Sequence, residues 1–206
     1  MPGKKEEDFA MLPNDPPPRL PPVDADAIAP EARAFLEKWT GGFFQGADKH
    51  PVLLTFAHNP KLADVFSAFN IHLLTTSTLP VKQRQIAIMR LAWITKAVYM
   101  WSSHLNTSIS CGLDDSLFEP IKVGASDPYF TDFERHVIRA TEELIANYEI
   151  SEESWAALMS EWSEAQVLDF LFTVGCYTTI AYVMRSTGVQ RLPDLLASAE
   201  RYGAPE

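Results

Sequence analysis

The sequence predicts an all-α fold. Three observations predict it: no segment sustains the two-residue alternation of a half-buried strand, helix-start signals recur along the chain, and two long stretches are apolar on almost every face. Residues 1–24 stand apart as a Pro-rich extended arm, because PNDPPPRLPP cannot propagate a helix and favours polyproline geometry. Such an arm lies along the domain or a neighbouring subunit, or enters a partner's aromatic groove. The helical domain is expected over residues 25–192, and residues 193–206 read as a C-terminal tail.

Within the domain each helix has its own start signal. Pro30 suits the first turn of APEARAFLEKW, and Asn59 with Pro60 makes a cap and first-turn pair for NPKLADVFSAFNIHLL. Pro80 opens the stretch from Leu79 to Leu113, which reads as one long helix closed by Gly112 in left-handed geometry. Thr131 with Glu134, and Ser163 with Gln166, have capping-box spacing. Ser151 precedes an acidic helix start in which Glu152 and Glu153 complement the helix dipole.

The segments starting at Gln83 and Glu164 look like weakly related copies: each begins polar, turns apolar on nearly every face and ends in a small-polar turn with Gly. A helix apolar all round must be buried on all sides. The expected architecture is therefore a pseudo-repeat bundle of roughly six to eight helices with these two at its centre. Common burial alone could also produce the likeness.

Composition narrows the function. At 206 residues and 47% hydrophobic, the chain can bury a full core. A net charge of −10 without a Lys/Arg cluster argues against nucleic acid and anionic membranes as partners. No apolar run suits a signal peptide or a membrane span, so a cytoplasmic protein is expected. Cys111 and Cys176 fit neither a Cys-x-x-Cys redox pair nor a zinc site and read as buried small side chains. His50, His58, His72 and His136 are dispersed without the spacing or acidic company of a metal site, so no metal is expected, and their default reading is surface or capping.

The exception is His104. On one helix, the residues three, four and seven positions before it are Trp101, Met100 and Ala97, none of which ionises. Chemistry there would run on one imidazole, uncharged hydrogen bonders and an apolar wall. The plainer reading is a core histidine with both nitrogens satisfied.

The run STLPVKQRQIAIMRLAWITKAVYMWSSHLNTSISCGL resembles the carboxymuconolactone decarboxylase family, also called alkylhydroperoxidase D-like, with a Pro-started, Arg-containing helix leading to Trp-x-x-His. AHNP, NIHLL and FTVGCYTTIAYVMRSTGVQ look like the flanking parts of its longer members, so the resemblance covers about Pro30 to Gln190. It implies an all-helical homo-oligomer, dimer, trimer or hexamer, with sites near subunit interfaces.

The departures from the family pattern shape the chemistry. The peroxidase branch carries Cys-x-x-Cys before the His and a Glu upstream; the corresponding positions here are Ala97, Met100 and Gln85. A methyl and a thioether carry no thiolate, so peroxide reduction by that route is excluded there. Longer members read Glu-Tyr-Glu-Trp where this chain has Val98, Tyr99, Met100 and Trp101. Desolvation without carboxylates favours a neutral imidazole, competent as a general base. The expectation is a cofactor-independent lyase, decarboxylase or isomerase acting on a small carbonyl- or lactone-bearing molecule.

His104, Tyr99 and Gln85 would form its catalytic set, and Trp101, Met100, Ala97, His72, Arg84, Arg90, Tyr177 and Cys176 its binding wall, with Arg84 or Arg90 as a carboxylate clamp. The aromatic residues at helical spacing could equally be core, and the arginines could pair with acidic neighbours. A non-catalytic ligand-binding or assembly protein of the same fold is the alternative, with a thiol-dependent hydroperoxide reductase third. An enclosed cavity exposing His104 favours the enzyme, and a filled interior the non-catalytic protein.

Overall fold

The computed structural model describes residues 17–24, 26–39 and 50–206; most of the Pro-rich arm therefore lies outside the described residues. Among these the chain is all-α, without strands. The described residues hold ten α-helices, more than the six to eight expected: α1 (Pro30–Trp39), α2 (Pro51–Phe56), α3 (Pro60–Thr75), α4 (Val81–Ile94), α5 (Val98–Ser110), α6 (Phe118–Val123), α7 (Asp132–Asn147), α8 (Glu152–Glu161), α9 (Glu164–Thr187) and α10 (Pro193–Tyr202). The stretch 193–206 is mostly α10, packed on α5.

The start signals act as their chemistry requires. Asn59 accepts from the Leu62 N–H, Ser151 from that of Ser154, and both capping boxes, Thr131/Glu134 and Ser163/Gln166, are closed reciprocally. Gly112 closes α5 at φ +81°.

The stretch from Leu79 to Leu113 is two helices rather than one. Lys96 takes a left-handed φ of 55°; its N–H donates to the Trp93 carbonyl and that of Ala97 to the Ala92 carbonyl, the bond pair of a Schellman termination. The motif ordinarily recruits Gly, so nothing in the residue types around Lys96 marks it. A left-handed non-glycine residue costs about 1–2 kcal/mol, which the buried contacts on either side offset. Ala97 thus becomes the N-cap of α5 instead of sharing a helical face with His104.

α4 is the central helix, with Ile86, Ala87, Ile88, Met89, Leu91 and Ala92 all buried against α5, α7 and α9. Polar ties fix its surroundings. Asp169 of α9 accepts from the Thr78 N–H (2.7 Å), Thr78 Oγ1 (2.8 Å) and Ser77 Oγ (3.0 Å) in the turn before α4. Partial burial pushes this carboxyl's pKa up, but those bonds together outweigh it and the net shift is downward.

α9, the other helix expected at the centre, is only partly enclosed. Thr173, Val174, Cys176 and Tyr177 are buried, whereas Leu168, Phe172 and Tyr182 lie in solvent. Its apolar character therefore does not mean burial on all sides.

A smaller core joins α1, α2 and α3 through Phe35, Leu36, Leu53 and Leu54. Val52, Tyr99 and Leu195 form a third cluster that ties α2, α5 and α10 together. Where these clusters meet the main core, packing is incomplete.

Candidate active site

A cavity of about 90 Å³ lies at that junction, walled by residues of α2, α3, α5 and α9. His104 of α5 stands on its wall beside Tyr99 and Met100, and faces Asn70 of α3 and Tyr177 of α9. The histidine is buried, its Nδ1 lies 2.8 Å from Gln85 Oε1, and its ring meets Tyr177 edge-on at 5.1 Å.

Because an amide oxygen can only accept, the Gln85 contact places the proton on Nδ1 and leaves Nε2 as the basic nitrogen. Ser108 Oγ donates to the same oxygen at 3.3 Å, holding the amide in place. Desolvation, assisted by the positive charge of Arg84, pushes the His104 pKa down to about 3. The resting imidazole is neutral at pH 7. Burial raises the hydroxyl pKa values of Tyr99 and Tyr177, with the charge of Asp194 adding to the effect at Tyr99, so both are proton donors at neutral pH. Tyr177 is hydrogen-bonded to Asn70, whereas the buried Tyr99 hydroxyl has no hydrogen-bond partner.

Sequence reasoning missed His50. It occupies the N-cap position of α2 without a side-chain capping bond, lines the cavity and meets Tyr99 at 6.5 Å between ring centroids. Burial outweighs the opposing charge of Asp194 and pushes its pKa down to about 4. Only its position before Pro51, a helix-start signal, could have singled it out. Ser103, Thr107 and Asn70 add polar groups to the wall that residue type alone did not mark.

Several assigned residues lie elsewhere. Trp101 is wholly buried, packs against Trp93 with the rings tilted and their centroids 4.9 Å apart, and donates its indole N–H to the Gly203 carbonyl at 2.7 Å, so it anchors the end of the chain instead of lining the cavity. Arg90 cannot clamp a substrate. It pairs with Glu142 at 2.6 Å and caps the carbonyls of Ile121 and Lys122 at 2.8 Å, which spends its donors on the α4–α6–α7 junction. His72 is exposed on α3, 2.7 Å from Thr76 Oγ1, and does not border the cavity. Cys176 lies behind the wall, accepting from Asn70 Nδ2 at 3.6 Å, and burial pushes its thiol up to about 11.

Arg84 and Ala97 are intermediate cases. Arg84 is buried, its Nε has no hydrogen-bond partner, and its charge is felt at His104 and Tyr177, though it does not itself line the cavity. Ala97 borders a second, more open cavity of about 180 Å³ that shares Tyr99 and Met184 with the first. The charged residues of that second lining are Lys96, Arg185 and Arg191, with no carboxylate among them. Among the described residues no His/Cys/Asp/Glu group could hold a metal ion.

No protein-family model matches the sequence, and no curated protein does. Solved structures do match. An uncharacterized peroxidase-related protein from Silicibacter sp. TM1040 superposes with a TM-score of 0.72 at 18% identity, over 95% of this chain and 99% of that one. A peroxidase-related AhpD-core protein from Ralstonia eutropha JMP134 gives 0.70 at 17% identity, over 93% and 99%. The debrominase Bmp8, in complex with 2,3,4-tribromopyrrole, gives 0.70 at 15% identity, over 92% and 100%. At these identities the likeness is one of architecture, and the architecture is an AhpD-like helical fold.

Proposed function

We propose that this protein is a cofactor-independent proton-transfer enzyme, an isomerase or decarboxylase acting on a small carbonyl- or lactone-bearing molecule, with His104 as its base. The observation that supports this most directly is the Gln85–His104 pair at the cavity wall, which keeps Nδ1 protonated and Nε2 basic. In the isomerisation, Nε2 takes a proton from the carbon next to the carbonyl and the C–H electron pair moves into an enolate. Tyr99 or Tyr177 donates a hydrogen bond to the enolate oxygen, and His104 returns the proton to another carbon. In the decarboxylation, the C–C bond to the carboxylate supplies the enolate electrons and carbon dioxide leaves; Nε2, protonated from solvent, passes that proton to the enolate carbon and returns to the neutral form.

A substrate carboxylate fits the surrounding charge. Desolvation first and the field of Arg84 second depress the basicity of His104; a bound carboxylate would oppose the Arg84 contribution and favour the imidazolium. The basic cavity across Tyr99 and Met184 gives such an acid a place to extend, because 90 Å³ is less than the roughly 150 Å³ of a cavity that holds benzene. Among proteins of this fold, Bmp8 binds a small halogenated heteroaromatic. Thiol-dependent peroxide reduction has little support here: Cys176 is buried with a raised pKa, and Cys111 lies exposed at the end of α5.

The test is solvent exchange at the substrate carbon. Small lactones and aromatic keto acids are incubated with the protein in D₂O and followed by NMR. Deuterium entry, double-bond movement or carbon dioxide release that disappears in His104→Ala supports the reading. Unchanged turnover in that variant removes His104 from the mechanism, and inertness of the whole panel with saturable binding favours the non-catalytic ligand-binding alternative.

A further inference from the structure

We infer that the second cavity is a phosphate site, which holds the phosphomonoester end of a small molecule. Its lining brings together Lys96 from the turn before α5, Arg185 from the last turn of α9 and Arg191 from the segment that follows, with no acidic side chain among them. In a chain with 27 carboxylates against 17 basic residues, a wall charged by cations alone departs from the composition around it. Lys96 and Arg185 are exposed and pair with no carboxylate among the described residues. Arg191 is buried in the same wall and engaged there, so Lys96 and Arg185 are the recognition groups.

The backbone adds to this field. Ala97, the N-cap of α5, has no side-chain group to offer, so the positive end of this 13-residue helix meets the cavity uncapped. Anions are stabilised at such an end. Across the cavity lies the C-terminal end of α9, where bare carbonyls would repel an anion. Two of them are covered: the Met184 carbonyl accepts from the Gly188 and Val189 N–H groups, and that of Thr187 from Arg19 and Leu20. Asp194, whose charge reaches Tyr99, is outside the lining, which puts the anion on the Lys96 and Arg185 side rather than against the Tyr99 ring.

Charge and size favour phosphate over carboxylate. A guanidinium fork alone matches a carboxylate, whereas a fork, an ammonium and a helix N-terminus together match a dianion with three terminal oxygens. At about 180 Å³ the space exceeds the roughly 150 Å³ of a cavity that holds benzene, which leaves room for a short carbon stem against Val98, Met184 and Val189. Because Tyr99 and Met184 also wall the His104 cavity, one molecule can place its phosphate here and its carbonyl there. That joint occupancy rests on the reading of His104 as a base; the phosphate site does not.

The test is isothermal titration calorimetry, backed by ligand-observed NMR, on the full chain at about pH 7.5, where a phosphomonoester is largely dianionic. Propyl phosphate should bind saturably and at least about tenfold tighter than butyrate. Inorganic phosphate should bind more weakly than the ester, having no stem for the apolar wall, and added salt should weaken both. Lys96→Gln and Arg185→Gln should each cost about fivefold or more in affinity, and the double variant should lose saturable binding while keeping its helical content. No saturable binding of propyl phosphate up to about 10 mM overturns the proposal, as does equal affinity for butyrate or unchanged affinity in the double variant. His104→Ala should bind propyl phosphate as the wild type does, so loss of solvent exchange and loss of phosphate binding are separate failures.

Discussion

Gln85 Oε1 lies 2.8 Å from His104 Nδ1 and joins the buried end of α4 to the cavity wall on α5. An acceptor without charge fixes the tautomer of the ring without raising its basicity, and this separates the site from one built on a carboxylate. Gln85→Glu should reverse that balance. An anion at 2.8 Å favours the imidazolium, so the His104 pKa should climb well above its present value of about 3 and enter the range accessible to NMR titration. Gln85→Leu should leave the Nδ1–H without its partner at a cost of about 1–3 kcal/mol in urea denaturation. A His104 titration unmoved by Gln85→Glu would mean that the pair does not govern the ring.

Acid should destabilise the protein in a window set by two histidines. His104 and His50 have folded-state pKa values of about 3 and about 4, against 6.5 in the unfolded chain. Between those limits the unfolded state binds more protons, so stability falls as pH drops below 6.5. The contribution is fully present above it. Each histidine adds a slope of up to about 1.4 kcal/mol per pH unit. His104→Gln should flatten the profile most clearly between pH 6.5 and 4.5, above the range in which carboxylates such as Asp169 and Glu143 titrate. The check is urea denaturation across that range; identical slopes in wild type and variant would contradict the assignment.

Legibility of the sequence followed the range of the interactions involved. Capping boxes at Thr131 and Ser163, and the terminating Gly112, are local chemistry and are present as read. The break at Lys96 was invisible because the residue adopts a conformation its side chain does not advertise, and it left Ala97 as the N-cap of the helix that carries Met100, Trp101 and His104. Met100 stayed at the cavity, Trp101 turned into the core, and Ala97 became a cap. Arg90 and His50 exchanged standing for a related reason. Whether a polar side chain is spent on its own fold or left on a cavity depends on partners far along the chain, here Glu142 for Arg90 and Tyr99 with Asp194 for His50.

Trp101 should prove structural. Its indole N–H to the Gly203 carbonyl is the bond that fastens the end of the chain beside α5, with Phe118 and Tyr202 packed edge-to-face at 4.9 Å nearby. Trp101→Phe keeps most of the ring volume and removes the donor, so a loss of about 1–3 kcal/mol is expected from the unsatisfied carbonyl and the incomplete fill. Ligand affinity at the His104 cavity should change little. A large affinity loss with unaltered stability would return Trp101 to the binding wall.

Thiol reagents offer an independent check on the class of chemistry. Cys111 is exposed and should alkylate readily, whereas Cys176, buried with a thiol pushed up to about 11, should react only as the protein opens. Mass spectrometry under native conditions should therefore show one rapid modification. Cys111→Ser with Cys176→Ala should retain any activity seen in the solvent-exchange assay. Loss of that activity in both single variants would revive a thiol mechanism.

Lys96 tests whether the break between α4 and α5 is strained. At φ 55° a lysine carries the left-handed penalty that glycine avoids, so Lys96→Gly should stabilise the protein by about 1 kcal/mol, less whatever the added freedom of the unfolded chain removes. The side chain is exposed, and no packing is lost with it. In urea denaturation the midpoint should rise without a change in slope. Lys96→Ala keeps the penalty and removes only the charge, so it should leave the midpoint near the wild type. If both variants weaken binding of acidic ligands equally, the lysine's charge matters at the second cavity; if only the glycine variant does, the rigidity of the turn that carries Tyr99 matters instead.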